Sequence, residues 1–256
     1  MEVHHHPKVE KKKFKEYFLE FLMIFLAVTM GFFAETIRES ISEHQRAREF
    51  AESLLQDLRE DTAQLRSYRD YVSYAAGKTD TLQQLLSDAQ PAEIPSGKLY
   101  WYGLFGGAFR DFAPNDETFQ QMKSTGSLRY FNRRVASAAA KYDRFCRIIQ
   151  SNELRDRNIY TEVRKLRAQL FDFKYNEIAN TIYATKFTHF NYSRLDSFIR
   201  SDPPLLTKNK ALFNQYVELV RSRFLRLTVL RYTDSTLNQA NILISELKNE
   251  YHFKDE

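Results

Sequence analysis

Between Glu20 and Glu35 the chain carries 14 consecutive residues without a charge, FLMIFLAVTMGFFA, from Phe21 to Ala34. As α-helix, that run reaches ~21 Å, short of the ~30 Å hydrocarbon core of a bilayer. Extending it back through Tyr17, Phe18 and Leu19 gives 18 residues and ~27 Å, enough to span when Glu20 sits at headgroup level and the bilayer thins slightly. Every face of this helix is apolar. A surface helix of a globular domain, or one lying in the membrane interface, needs a polar face that is missing here. A cleaved signal peptide fits the apolar length but not the flanks. Glu2, Glu10, Glu16 and Glu20 make the leader acidic as well as basic, and Gly-Phe-Phe-Ala puts a bulky ring where cleavage needs a small residue. The segment therefore predicts a transmembrane helix over 17–36.

Flanking cations set the orientation. Lys8, Lys11, Lys12, Lys13 and Lys15 precede the run, against Arg38, Arg46 and Arg48 in a comparable window after it, so residues 1–16 are expected to be a basic cytoplasmic tail. Residues 37–256 then form an extracytoplasmic domain, periplasmic for a protein of a bacterial inner membrane. The lipid bilayer is the first expected partner. Ala27 and Gly31, four apart, have the small-residue spacing that lets two membrane helices approach, which makes a second copy of the chain another candidate.

The rest of the chain reads as helix. Only 7 Gly and 6 Pro occur in 256 residues, and no useful length of strand alternation appears. From Glu35 to about Gln90 a stripe at helical spacing (Ile37, Ile41, His44, Arg48, Ala51, Leu55, Leu58, Thr62, Leu65, Val72) continues the anchor as one long helix. His44 and Arg48 in the seam weaken a coiled-coil pairing near the membrane. Pro91 and Pro95 break the pattern, and KLYWYGLFGGAFRDF follows. Its Tyr100, Trp101, Tyr102, Phe105 and Phe109 form either an interaction patch or a short helix wedged into the core, while Gly103, Gly106 and Gly107 permit close backbone approach. A short helix over 118–125 closes at Gly126, and a second start at Asn132 opens a helix to about Phe171. A mixed aromatic and polar region then predicts short helices and turns up to Asp202-Pro203-Pro204. A last helix, capped by Thr207, runs from Asn209 to Tyr251. The expected fold is all-α, a transmembrane helix continuing into an antiparallel helical bundle.

The opening MEVHHH, the segment KEYFLEFLMIFLAVTMGFFAETIRE, the stretch HQRAREFAESLLQDLREDT and the later DETFQQMKSTGSLRY together resemble an uncharacterised group of single-pass membrane proteins of Bacteroidota. These carry a segment of the form T-[FY]-x-x-[LM]-K-x-[ST]-G-x-L-R, which Thr118, Phe119, Met122, Lys123, Thr125, Gly126, Leu128 and Arg129 match here. The resemblance implies topology and no chemistry. It also places His4, His5 and His6 within the family-like opening.

Catalytic signatures are not evident. The single cysteine, Cys146, excludes an intramolecular disulfide and multi-cysteine metal sites, and its helical surroundings suggest a packed thiol. Three adjacent His on a terminus make a poor metal site, and His44, His189 and His252 stand alone. No HExxH, GxSxG, GxGxxG or GK[ST] pattern occurs, and the carboxylates read as helical charge patterns. The net charge of +5 invites a nucleic-acid reading, but it resolves into +7 over 128–170 and +5 over 208–231 opposite −3 over 35–70, as helices that neutralise one another would show. With these stripes outside the membrane, no nucleic-acid partner is expected. The expectation is a non-enzymatic, membrane-anchored helical protein without cofactor or metal, acting as an interaction or scaffolding component of the envelope. The alternative is a sensory subunit acting through a membrane partner.

Overall fold

A computed structural model describes residues 14–107, 110–183, 191–223 and 226–254, with backbone only at 226–228. Lys8, Lys11, Lys12, Lys13, His4, His5, His6, Phe109, His189 and the side chains of Phe224 and Leu227 lie outside the described residues. Among the described residues there are eight α-helices and no strand: α1 (Phe14–Asp88), α2 (Ser96–Leu104), α3 (Glu117–Ser124), α4 (Arg133–Leu170), α5 (Phe173–Tyr183), α6 (Tyr192–Arg200), α7 (Lys210–Arg223) and α8 (Arg226–Tyr251). The chain divides into two units, Met1–Phe50 and Ala51–Glu256.

The described part of the first unit belongs entirely to α1. Its best 18-residue window has a mean hydropathy of 2.0 and is 0% buried. α1 is the one helix among the described residues long and apolar enough to cross a membrane. Phe21, Met23, Ile24, Phe32 and Phe33 are each more than 60% exposed, so the segment is not a core helix. Its hydroxyls are satisfied locally: Thr29 Oγ1 donates to Phe25 O at 2.7 Å and Thr36 Oγ1 to Phe32 O at 2.8 Å, the back-bonding open to a hydroxyl side chain within a helix. Lys15 is exposed, and Arg38 Nε donates to Glu35 Oε2 at 2.9 Å near the end of the run.

The second unit is a closed helical domain. Within it the stripe read from the sequence is buried throughout: Ala51, Leu58 and Leu65 are 0% exposed, and Leu55, Thr62 and Val72 are buried with them. α7 and α8 pack successively along α4, antiparallel to it. Arg223 meets Asp156 and the Phe171 ring meets Phe213 on α7, whereas Tyr251 at the end of α8 lies edge-on to Phe131 just before α4. α1 and α4 run in the same direction, since Asp61 pairs with Tyr142 and Tyr68 with Glu153. The segment 89–132 returns the chain to allow this.

One boundary differs from expectation. The last helical stretch is described as α7 and α8, and residues 224–225 between them lie outside the described residues. The cap of α7 is Asn209, whose Oδ1 accepts from Ala211 N at 2.9 Å, while Thr207 Oγ1 accepts from Asn209 N at 3.1 Å. α4 starts as expected, with Asn132 Oδ1 accepting from Val135 N at 2.9 Å. In α4, Cys146 is buried as read, but Leu154 is 66% exposed.

The aromatic segment is core. Tyr100 and Phe105 are 0% exposed and Trp101 is 2% exposed, with Tyr102 half-buried, so these side chains form no surface patch. The Tyr100 ring packs on Phe171 and Phe198, and its hydroxyl donates to Pro204 O at 2.7 Å while accepting from Asp172 N at 2.9 Å. Burying a tyrosine this way requires both its ring and its hydroxyl to find partners. The glycines make the fit possible. A Cβ on Gly97 would stand 2.5 Å from the Ile199 Cα, and one on Gly103 would stand 2.6 Å from the Phe171 ring.

Candidate functional site

A buried polar feature of the second unit lies on α1. Leu54, Leu58, Leu65 and Tyr68 at helical spacing define a buried face, and Asp61 lies on it, 0% exposed. Its Oδ2 accepts from the Tyr142 hydroxyl at 2.6 Å and its Oδ1 from Asn115 N at 2.8 Å. Burial outweighs these bonds and pushes its carboxyl up to about 6. Tyr142 is hydrogen-bonded in turn to the Cys146 thiol, which burial drives up to about 12. A thiol so far from its thiolate is no nucleophile at neutral pH. Asp57, one turn before Asp61, hydrogen-bonds Thr118 on α3, yet its Oδ2 is buried without a partner, and desolvation raises its carboxyl as well. These groups line a cavity of about 170 Å³ walled by Leu54, Leu58, Phe119 and Leu243, which is small beside the ~300–1,000 Å³ of ordinary ligand pockets.

A second acid lies further along α4. Glu153 Oε1 accepts from Phe112 N at 2.7 Å, Tyr68 hydrogen-bonds the same carboxyl, and burial pushes it up to about 7. Two acids therefore exchange protons close to neutrality inside the domain. The reading of the carboxylates as solvated charge patterns is corrected by this burial. The available signal was Asp61 three residues after Leu58 and four before Leu65. Its partners lie 54 and 81 positions away in sequence, beyond any local pattern.

The family-like segment closes the first cavity. Thr118 bonds Asp57, Phe119 forms wall, and Met122 is 0% exposed beneath α3. Gly126 ends the helix at φ 70°, in the left-handed region that favours glycine. Thr125 Oγ1 donates to Gln121 O at 2.8 Å. Lys123 and Arg129 are exposed over the rings of Phe119 and Tyr130, and Leu128 is half-buried. The motif's residue types are those of a capped helical turn seated on α1, with two cations left outward.

Among the described residues no three His, Cys, Asp or Glu side chains gather as metal ligands. No protein-family model, curated protein or solved structure matches the chain.

Proposed function

We propose that this is a single-pass protein of a bacterial inner membrane, N-terminus inside, whose helical domain acts outside the cytoplasm as a non-enzymatic interaction or scaffolding component of the envelope. The observation that carries the reading is the wholly unburied window of α1 beside a domain that closes its own core. Leaving large apolar side chains in water costs about 1.5–3 kcal/mol each relative to burial, so a run of this length is paid for by lipid or by a partner. The lysines of 8–15 and the resemblance to the Bacteroidota group support the same topology. The non-enzymatic part rests on how the domain's acids and thiol are used: Asp61, Glu153 and Cys146 hold neighbouring groups in buried hydrogen bonds.

Membrane fractionation with a C-terminal reporter tests this. The expected result is full-length protein in the inner-membrane fraction with a reporter active in the periplasm. Soluble protein, a chain shortened at its N-terminus, or a cytoplasmic reporter overturns it. A second reading, a sensory subunit working through a membrane partner, is favoured by one observation: α1 is helical from Phe14 to Asp88 and so carries the apolar run, the half-buried Asp57 and the buried Asp61. Cysteine crosslinking along 21–34 at pH 5 and pH 8 would reveal it, as a change in crosslinking between anchors.

A further inference from the structure

On the face of α4 that carries Tyr142, the partner of Asp61, stand two small side chains, Ala139 and Cys146, two turns apart. They line the cavity of about 170 Å³ together with Leu54 and Leu58 of α1, Phe119 of α3 and Leu243 of α8. All six are buried. Four helices converge on this space, and the short side chains at 139 and 146 on α4 leave it unfilled. Protein interiors are close-packed, and voids larger than a water molecule are few. A cavity of this size where four helices meet therefore marks a place for an occupant.

The chemistry of the wall selects that occupant. Asp61 accepts at both oxygens, from Tyr142 and from Asn115 N, and Tyr142 is bonded to Cys146. Asp57 is bonded to Thr118 and its Oδ2 is covered. Nearer the solvent, Gln120 Nε2 donates to Asp116 Oδ2 at 3.2 Å, and Asp143 pairs with Arg147. The polar groups are thus engaged with one another. A buried water needs two to four polar partners, and a buried charge needs a counter-charge. An anion would also meet four aspartates, Asp57, Asp61, Asp116 and Asp143, against the single Arg147. What is left to bind is the apolar wall. Its size fits a small ring, since an apolar cavity of ~150 Å³ takes up one benzene.

We propose that this cavity binds one small uncharged apolar molecule of about six to eight carbons, held between α1, α3, α4 and α8. The site lies within the second unit, so it stands or falls separately from membrane anchoring. The test titrates the full chain in detergent, its leucine methyls isotope-labelled, with benzene and with benzoate and benzylamine as charged comparators, read by NMR and thermal unfolding. Benzene is expected to shift the methyl signals of Leu54, Leu58 and Leu243 saturably and to raise the unfolding midpoint. Both charged analogues are expected to bind weaker by ~tenfold or more, because a charge taken into this space finds its partners already engaged. Leu22 and Leu26 lie on the exposed run, so shifts there report only uptake by the micelle. Ala139→Leu fills the space and is expected to keep or raise the midpoint while abolishing the shifts at Leu54, Leu58 and Leu243. Shifts confined to Leu22 and Leu26, either charged analogue binding as tightly as benzene, or undiminished binding in a folded Ala139→Leu overturns the proposal. Should Ala139→Leu fail to fold by circular dichroism, Cys146→Leu is expected to lose the same shifts, with unchanged binding there overturning it too, and the pattern of shifts in the native chain decides without either variant.

Discussion

The two halves of α1 share one backbone conformation and differ in what surrounds their side chains. From Phe21 to Ala34 the helix is apolar on every face and exposed; from Ala51 to Ala76 it is apolar on one face, and that face is buried. Hydrophobic content therefore does not decide burial within the protein; its distribution around the helix does. A stripe can be covered by neighbouring helices of a small domain, whereas a cylinder apolar all round needs a medium that surrounds it.

The largest effect should come from putting charge into each half. Leu26→Arg combined with Met30→Arg adds two cations to the exposed run, each costing ~2.5–3.5 kcal/mol at the centre of a bilayer. The expected outcome is near-complete transfer from the membrane to the soluble or degraded fraction, with the domain's circular dichroism intact in whatever is recovered. Leu58→Arg should do the reverse, keeping the protein in the membrane while the domain unfolds. If the double arginine variant stays membrane-bound, the comparison between the halves is broken.

A gentler version truncates one leucine in each half. Leu58→Ala removes a side chain that is 0% exposed and should destabilise the domain by ~2–5 kcal/mol in urea unfolding, whereas Leu26→Ala, at 49% exposure, should leave that transition within ~0.5 kcal/mol.

The stripe from Ala51 to Val72 was legible because burial follows period, and all six of its residues from Ala51 onward are buried. The caps at Asn132 and Gly126 were legible because their chemistry is local. The polar site was not. Asp61, Arg167 and Arg223 each occupy a core-facing register among apolar neighbours, and what distinguishes a buried charge from a rim charge is a partner supplied by a distant helix. Asp156 and Arg223 are 67 positions apart. The aromatic cluster at 100–105 shows the converse, since rings that suit a surface also suit a core, and only the glycines beside them carried a hint of close packing.

Asp61 interrupts the apolar face of the buried half, and its titration sharpens the comparison. Burial raises its carboxyl from the ordinary 3.8 to about 6, so between about pH 4 and 6 the folded protein holds a proton that the unfolded chain has already released. Stability should fall as pH rises through that window and level off above it, by about 2 kcal/mol once screening by the polar rim is allowed for. Glu153, raised to about 7 from 4.5, carries the decline on toward neutrality. Asp61→Asn should remove the lower part of the slope and match or exceed the native stability at pH 7. Urea midpoints between pH 4 and 8 read both, and an unchanged profile would sink the assignment.

The smallest expected effect lies on the outer side of the same half. Arg69 donates to Asp234 on α8 at 2.5 Å, with both side chains roughly half exposed, 45% and 52%. An ion pair in water pays side-chain entropy for a screened attraction, so a double-mutant cycle of Arg69→Ala and Asp234→Ala should give a coupling of only ~0.2–1 kcal/mol, vanishing at high salt. A coupling of several kcal/mol that persists in salt would mean that the outward face of α1 is covered in solution, and that the helix has a buried second side where the exposed charges now mark a solvated one.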